Sequence, residues 1–315
     1  MRPGTMVKIL LCGLLIACGG TSRTTLSAAA DDPPYRACPY QSYELHLSSF
    51  CPTPSRIAGV LLRTSINGGR PLRLILDSGA ESIVIGSKDA LSAGLSRESA
   101  MDLVGLDSTP ASVGHATTVQ IGPVCFRNCP VAFVKGRVVE GADGVIPLSL
   151  FSDFVLRLNL PEKRLGLIPY PQEGNSGGTA THGVTQHNLL LVDTVLNGKQ
   201  NGYVVMDTGA YCSAISAEVA HTLKGFPLPL APQVHLAAGT GAATGQRVSS
   251  RVHFAIANQD LIPDEVVALD LSNLSRHYGV EVMGVLGFPA LQPYVLTIDY
   301  RNQMVKIEPN LHTSP

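Results

Sequence analysis

The chain repeats itself once, and this constrains its fold more than any other feature of its sequence. LILDSGAESIVIGSKDALSAGL, from Leu74, is echoed by YVVMDTGAYCSAISAEVAHTL, from Tyr203. Each copy carries an apolar strand, an Asp-Ser/Thr-Gly-Ala turn, a second short apolar strand and a helix whose expected cap is Ser87 or Ser216. A second pair follows: GADGVIPLSLFSDFVLRLNLPEKRLGLI from Gly141 and VEVMGVLGFPALQPYVLTIDYRNQMVKI from Val280. Both members end in alternating residues around a turn, Asn159 to Lys163 and Asp299 to Asn302, the pattern of a hairpin. The offset is 130 residues between Asp77 and Asp207 and 140 between Gly144 and Gly284. That is a duplicated unit with an insertion between the motifs of its second copy.

The duplication divides the chain into lobes at 56–170 and 184–309. A Gly/Ser/Thr-rich linker at 171–183 joins them, and a short tail, 310–315, closes the chain. Residues 31–55, with DDPP and two cysteines, read as an arm or tether. With 31 Gly and 22 Pro, and charged residues at only 15%, the composition suits a turn-rich, mainly β protein with a sizeable core. A net charge of −1 without a basic run gives no footprint for nucleic acid.

Residues 1–30 read as an export signal. Arg2 and Lys8 flank the start of an apolar run, Ile9 to Cys18, that is too short to span a bilayer. Leu15-Ile16-Ala17-Cys18 resembles a bacterial lipobox, which makes Cys18 the lipidation candidate and a lipid-anchored place at the cell envelope the leading expectation. Ala28-Ala29-Ala30 is the rival site, of the ordinary secretory type. In an oxidising compartment Cys38 with Cys51, and Cys125 with Cys129, are disulfide candidates. Cys212 is left over and reads as a small buried hydrophobe. The CFRNC spacing has no second Cys/His pair, so a metal site is not expected.

Each copy also holds a Gly-rich hairpin candidate, Leu103 to Gly122 and Val234 to Ile256. GTGAATG in the second lacks the Gly-Lys-Ser/Thr ending of a phosphate loop. The chain also contains no G-x-S-x-G and no H-E-x-x-H. His115 and His253 read as structural residues and His221 as a surface residue.

One Asp-Ser/Thr-Gly triplet is commonly a turn in which Asp caps its own backbone. Two triplets in register within a repeat say more. If the copies pack about a pseudo-twofold axis, Asp77 and Asp207 meet across it. Two adjacent carboxylates cannot both ionise cheaply, so they share a proton, and one serves as base while the other serves as acid. Gly79 and Gly209 permit close backbone approach, and the Ser78 and Thr208 hydroxyls can brace the lobes.

These residues resemble those of aspartic peptidases of the pepsin/retropepsin superfamily, and more narrowly bacterial two-lobed retropepsin-like proteases. The matching motifs are Asp77-Ser78-Gly79-Ala80, Asp207-Thr208-Gly209-Ala210 and Gly284-Val285-Leu286-Gly287. The resemblance implies two β-barrel-like lobes with a flapped cleft between them. It also implies an endopeptidase for extended peptides that needs no cofactor and works as a monomer. A non-catalytic peptide-binding or inhibitor module on the same fold is the alternative. The resemblance offers Glu81 as a contact for substrate backbone, and Gly114, Gly239 and Gly241 of the hairpins are further candidates. Ala80 and Ala210, where pepsins carry a hydroxyl, imply a mildly acidic to neutral optimum. Pro147 and Met283 depart from the family pattern, and neither hairpin carries Tyr or Trp.

Overall fold

In each lobe the strand bearing the aspartate is an apolar run with no helix period, and a chain can bury such a run only between two hydrogen-bonded neighbours. The computed structural model describes residues 8–10, 16–17, 41–53, 56–105, 108–170, 181–186, 189–223, 233–238, 241–248 and 251–310. In the first lobe the strand Leu72–Asp77 runs antiparallel to Gly59–Ile66 and parallel to Gly144–Pro147. Gly144 and Val145 also pair with Ile85 and Val84 of the strand Ile83–Gly86. The second lobe repeats the arrangement with Gln200–Asp207, Leu189–Leu196, Val282–Gly287 and Ser213–Ser216. The fold is mainly β and two-lobed.

This crossing explains the Gly144/Gly284 pair. Each sits where a strand is squeezed between two others. A Cβ on Gly144 would lie 2.1 Å from the Val84 carbonyl oxygen, and one on Gly284 2.6 Å from that of Ala214. Leu74, Ile75 and Leu76 are fully buried around the first crossing. Burying a side chain of this size stabilises by roughly 1.5–3 kcal/mol.

The two terminal hairpins meet beneath the lobes. Phe154–Asn159 pairs with Arg164–Pro169 and, across the lobes, with Tyr294–Asp299, which pairs with Met304–Pro309. Residues 43–50 join the sheets rather than forming a tether. Tyr43–His46 pairs with Arg164–Pro169, and Ser48–Phe50 with Gly59–Ile66. Leu45 and Phe50 face inward, and their alternation with polar neighbours is a short strand signal inside a segment of mixed composition. Of the linker, 171–180 lies outside the described residues, while Thr181–Gln186 is already a strand, paired with Leu189–Leu196. Short strands at Lys8–Leu10 and Ile16–Ala17, within the segment read as an export signal, pair with His235–Ala237 and Leu103–Val104. Cys12, Cys18, Ala28 to Ala30 and Cys38 lie outside the described residues.

The two helices after the triplets differ at their starts. Ser216 caps Ala217–His221, its Oγ accepting from Val219 N at 3.1 Å. The first helix, Ser87–Ser92, begins at the equivalent position, but there Gly86 occupies the place of Ser216 and takes the cap, and Ser87 stands one residue inside the helix. Ser87 instead donates its hydroxyl to the Val134 carbonyl, 2.8 Å away on the neighbouring strand.

Among the described residues Cys51, Cys125, Cys129 and Cys212 are free thiols, which corrects the Cys125–Cys129 pairing expected from spacing. Both lie on the strand Val124–Val134, with Cys129 buried and Cys125 partly exposed. Four residues of extended chain, at about 3.3 Å each, separate their backbones too widely for a disulfide. Each thiol instead points at a carbonyl of its own strand, Cys125 at Phe126 and Cys129 at Arg127. Cys212 is buried, as expected, and burial pushes its thiol up to about 12.

Candidate active site

Each aspartate ends its strand at the lobe interface and is fully buried. Its own turn holds it there. Gly79 N donates to Asp77 Oδ1 at 2.7 Å, while Gly209 N and Ala210 N donate to Asp207 Oδ1, both at 2.9 Å. The two turns also lock each other through four buried hydrogen bonds. Ser78 N donates to Thr208 Oγ1 at 3.0 Å and Thr208 N to Ser78 Oγ at 2.9 Å. In return Ser78 Oγ donates to the Met206 carbonyl at 2.7 Å and Thr208 Oγ1 to the Leu76 carbonyl at 2.8 Å. Each hydroxyl is thus used once as acceptor and once as donor, always toward the opposite lobe.

Asp77 and Asp207 consequently face one another. A Cβ on Gly209 would sit 2.5 Å from Asp77 Cγ, so the carboxyl of one lobe lies against the turn of the other. Only glycine fits at that position. Burial raises both carboxyls well above the ordinary aspartate range. At Asp77 the Asp207 charge adds to the rise, and at Asp207 the Gly209 amide opposes it. The carboxyls therefore lose their protons one after the other, and between the two steps the pair holds one shared proton. Beyond the other carboxyl, Asp77 Oδ2 and Asp207 Oδ2 meet no other protein donor among the described residues, a configuration able to take up a water or a carbonyl oxygen.

Pro147 is accommodated by a compensating change. It lies in register with Asp77, as Gly287 lies in register with Asp207. In the second lobe Gly287 N donates to Ser213 Oγ at 3.1 Å. The residue matching Ser213 in the first lobe, at the 130-residue offset, is Ile83, which has no acceptor to satisfy. The missing donor and the missing acceptor cancel. Met283 is buried with its thioether over Gly202, where a Cβ would meet Sδ at 2.7 Å.

The other sequence candidates part company here. Gly114 lies inside the long strand Ser108–Ile121, paired with Val131, and a Cβ there would stand 2.3 Å from the Ser96 carbonyl oxygen. Its glycine is explained by packing. Gly239 lies outside the described residues, and Gly241 opens the strand Gly241–Arg247 opposite Ala238. Glu81 reaches the second lobe, with Oε1 3.6 Å from His277 Nε2. His115 and His253 pair with Glu98 and Asp260 on the surface.

Arg56 is a contact that sequence reading missed. Its Nη1 lies 3.1 Å from Glu265 Oε2, its Nη2 donates to the Tyr211 carbonyl at 3.2 Å, and its guanidinium stands 5.0 Å from the Tyr211 ring centroid. No local motif marks it. The one available signal was the mismatch of Glu81 and Tyr211 at equivalent positions.

Residues 62–150 match the model of a family described as aspartyl protease. In fold the chain is similar to the aspartic proteinase from Irpex lacteus, with a TM-score of 0.58 at 12% identity over 87% of this chain and 99% of that one. No curated protein sequence matches the chain. The family match covers the first lobe and the fold likeness extends over both. Together they support an aspartic protease family for this chain, the class that two facing Asp-Ser/Thr-Gly turns define.

Proposed function

We propose that the protein is an exported aspartic endopeptidase in which Asp77 and Asp207 activate water for attack on a peptide bond. The observation that carries this reading is the facing, fully buried pair, braced by reciprocal Ser78 and Thr208 bonds. One carboxylate takes a proton from water as its oxygen bonds to the carbonyl carbon, and the other carboxyl protonates the carbonyl oxygen. Collapse of the tetrahedral diol breaks the C–N bond. The amine leaves with a proton from one carboxyl, and the diol returns a proton to the other. The shared proton is then restored and no covalent intermediate forms.

The raised carboxyls support an optimum in the mildly acidic to neutral range, as the Ala80 and Ala210 pattern implied. The substrate is an extended peptide, and both half-sites lie in one chain, so a monomer suffices. Export rests on the N-terminal sequence, with a lipid anchor at Cys18 as the leading form.

The test is digestion of a diverse peptide library between about pH 3 and about pH 8, with and without pepstatin, followed by mass spectrometry. Internal cleavage that pepstatin blocks supports the reading. A folded protein that binds library peptides and cuts none would replace it with the peptide-binding module on the same fold.

A further inference from the structure

Four residues beyond each aspartate the lobes stop being alike. The first has Glu81 and the second Tyr211, and each is met by the opposite lobe. Tyr211 is met by Arg56. Glu81 is met by the helix Ser272–Tyr278, where its side chain and that of His277 are only 8% and 12% exposed. Tyr278, buried, sets its ring edge-on to His277, with centroids 5.0 Å apart and planes at 86°. Burial first, then the charges of Glu81 and Asp207, keep the Tyr278 phenol protonated, so it stands within the field of both carboxylates. The helix is also fastened to the catalytic core of its own lobe. Val282 N donates to Ser275 Oγ at 3.0 Å, and Val282 opens the strand that lies beside Asp207.

We infer that Glu81, His277 and Tyr278 are positioning residues for the dyad, a buried strut that ties the first catalytic turn to the second lobe. The strut also keeps a compensated rather than a bare charge near Asp207. A carboxylate held alone in this interior would repel the ionised dyad, and an imidazolium held alone would attract it. Among the described residues, Glu265 near the Asp207 turn is already paired, with Arg56 at 3.1 Å and with Arg247 at 2.7 Å. On this account Glu81 is engaged by protein and does not contact substrate.

The test compares Glu81→Gln, His277→Gln and Tyr278→Phe, each checked for folding by circular dichroism. The first readout is the carboxyl titration of Asp77 and Asp207 followed by carbon-13 NMR, which requires no catalysis. Glu81→Gln removes the anion and is expected to lower the dyad titration, whereas His277→Gln bares the anion and is expected to raise it, each by about 0.5 pH unit or more. Folded variants that shift the titration in the same direction, or not at all, would overturn the inference.

The second readout rests on the peptidase reading. Tyr278→Phe and Glu81→Gln are expected to lower kcat about tenfold with KM unchanged. A raised KM with unchanged kcat would make Glu81 a substrate contact and overturn the strut. An inactive wild type would defeat the peptidase reading alone, and the titration would still decide the strut.

Discussion

Replacing Thr208 with Val keeps the volume of the side chain and deletes one hydroxyl. Two buried hydrogen bonds disappear, the one accepted from Ser78 N at 3.0 Å and the one donated to Leu76 O at 2.8 Å. Leaving a buried donor or acceptor unpaired costs about 1–3 kcal/mol per group, so the loss is roughly 2–6 kcal/mol, less a small gain from the added methyl. Thr208→Ser is the control, because it keeps both bonds and loses one buried methyl group, about 1 kcal/mol. Urea unfolding followed by circular dichroism should therefore place the Val variant about 1 kcal/mol or more below the Ser variant. Because the two hydroxyls brace the same pair of turns, Ser78→Ala combined with Thr208→Val should be non-additive by about 0.5–3 kcal/mol. Equal stability of the Val and Ser variants would show that the four cross-lobe bonds do not hold the lobes together.

Three further outcomes follow from the same structure. Both dyad carboxyls are raised on folding, so the folded state keeps protons where the unfolded chain has lost them. Stability should accordingly fall as pH rises from about 4 through the Asp207 value of about 6, and Asp207→Asn should flatten that slope in thermal unfolding at a series of pH values. Gly114→Ala should destabilise by about 2 kcal/mol or more, because the new methyl meets a backbone oxygen rather than a movable side chain, and an unchanged urea midpoint would contradict that. Alkylation and mass spectrometry of the unfolded, unreduced protein should find Cys125 and Cys129 both labelled, and a mass consistent with an internal bridge would refute the free-thiol assignment.

What could be read from the sequence was whatever the repeat encoded locally. The Asp77 and Asp207 turns, the strands leading to them and the crossing glycines Gly144 and Gly284 each carry a motif of a few residues, and each appears twice. What could not be read depends on contacts between distant parts of the chain. Ser87 and Ser216 look alike in sequence, yet only Ser216 caps its helix, because Gly86 fills the equivalent position in the first copy and Ser87, one residue further on, gives its hydroxyl to the Val134 carbonyl. Gly114 read as a substrate-binding candidate of a hairpin, and only the neighbouring Ser96 carbonyl shows why it is small. Tyr43–His46 and Ser48–Phe50 show only a brief alternation, and their strand character is fixed by partners more than a hundred residues away in one case and about ten in the other. The same holds for Arg56, whose partner Glu265 is 209 residues distant.

The central claim is that Asp77 and Asp207 act as one group. Its most direct test is the turnover of a cleavable peptide by Asp77→Asn, Asp207→Asn and the double variant, at the optimum pH of the wild type. Either single substitution should reduce kcat by about a thousandfold or more, and the double variant should be no slower than the worse single one, since a half-dyad cannot share a proton. A single variant that keeps turnover near the wild-type rate, or losses that multiply in the double variant, would show that the two carboxyls do not work as a unit.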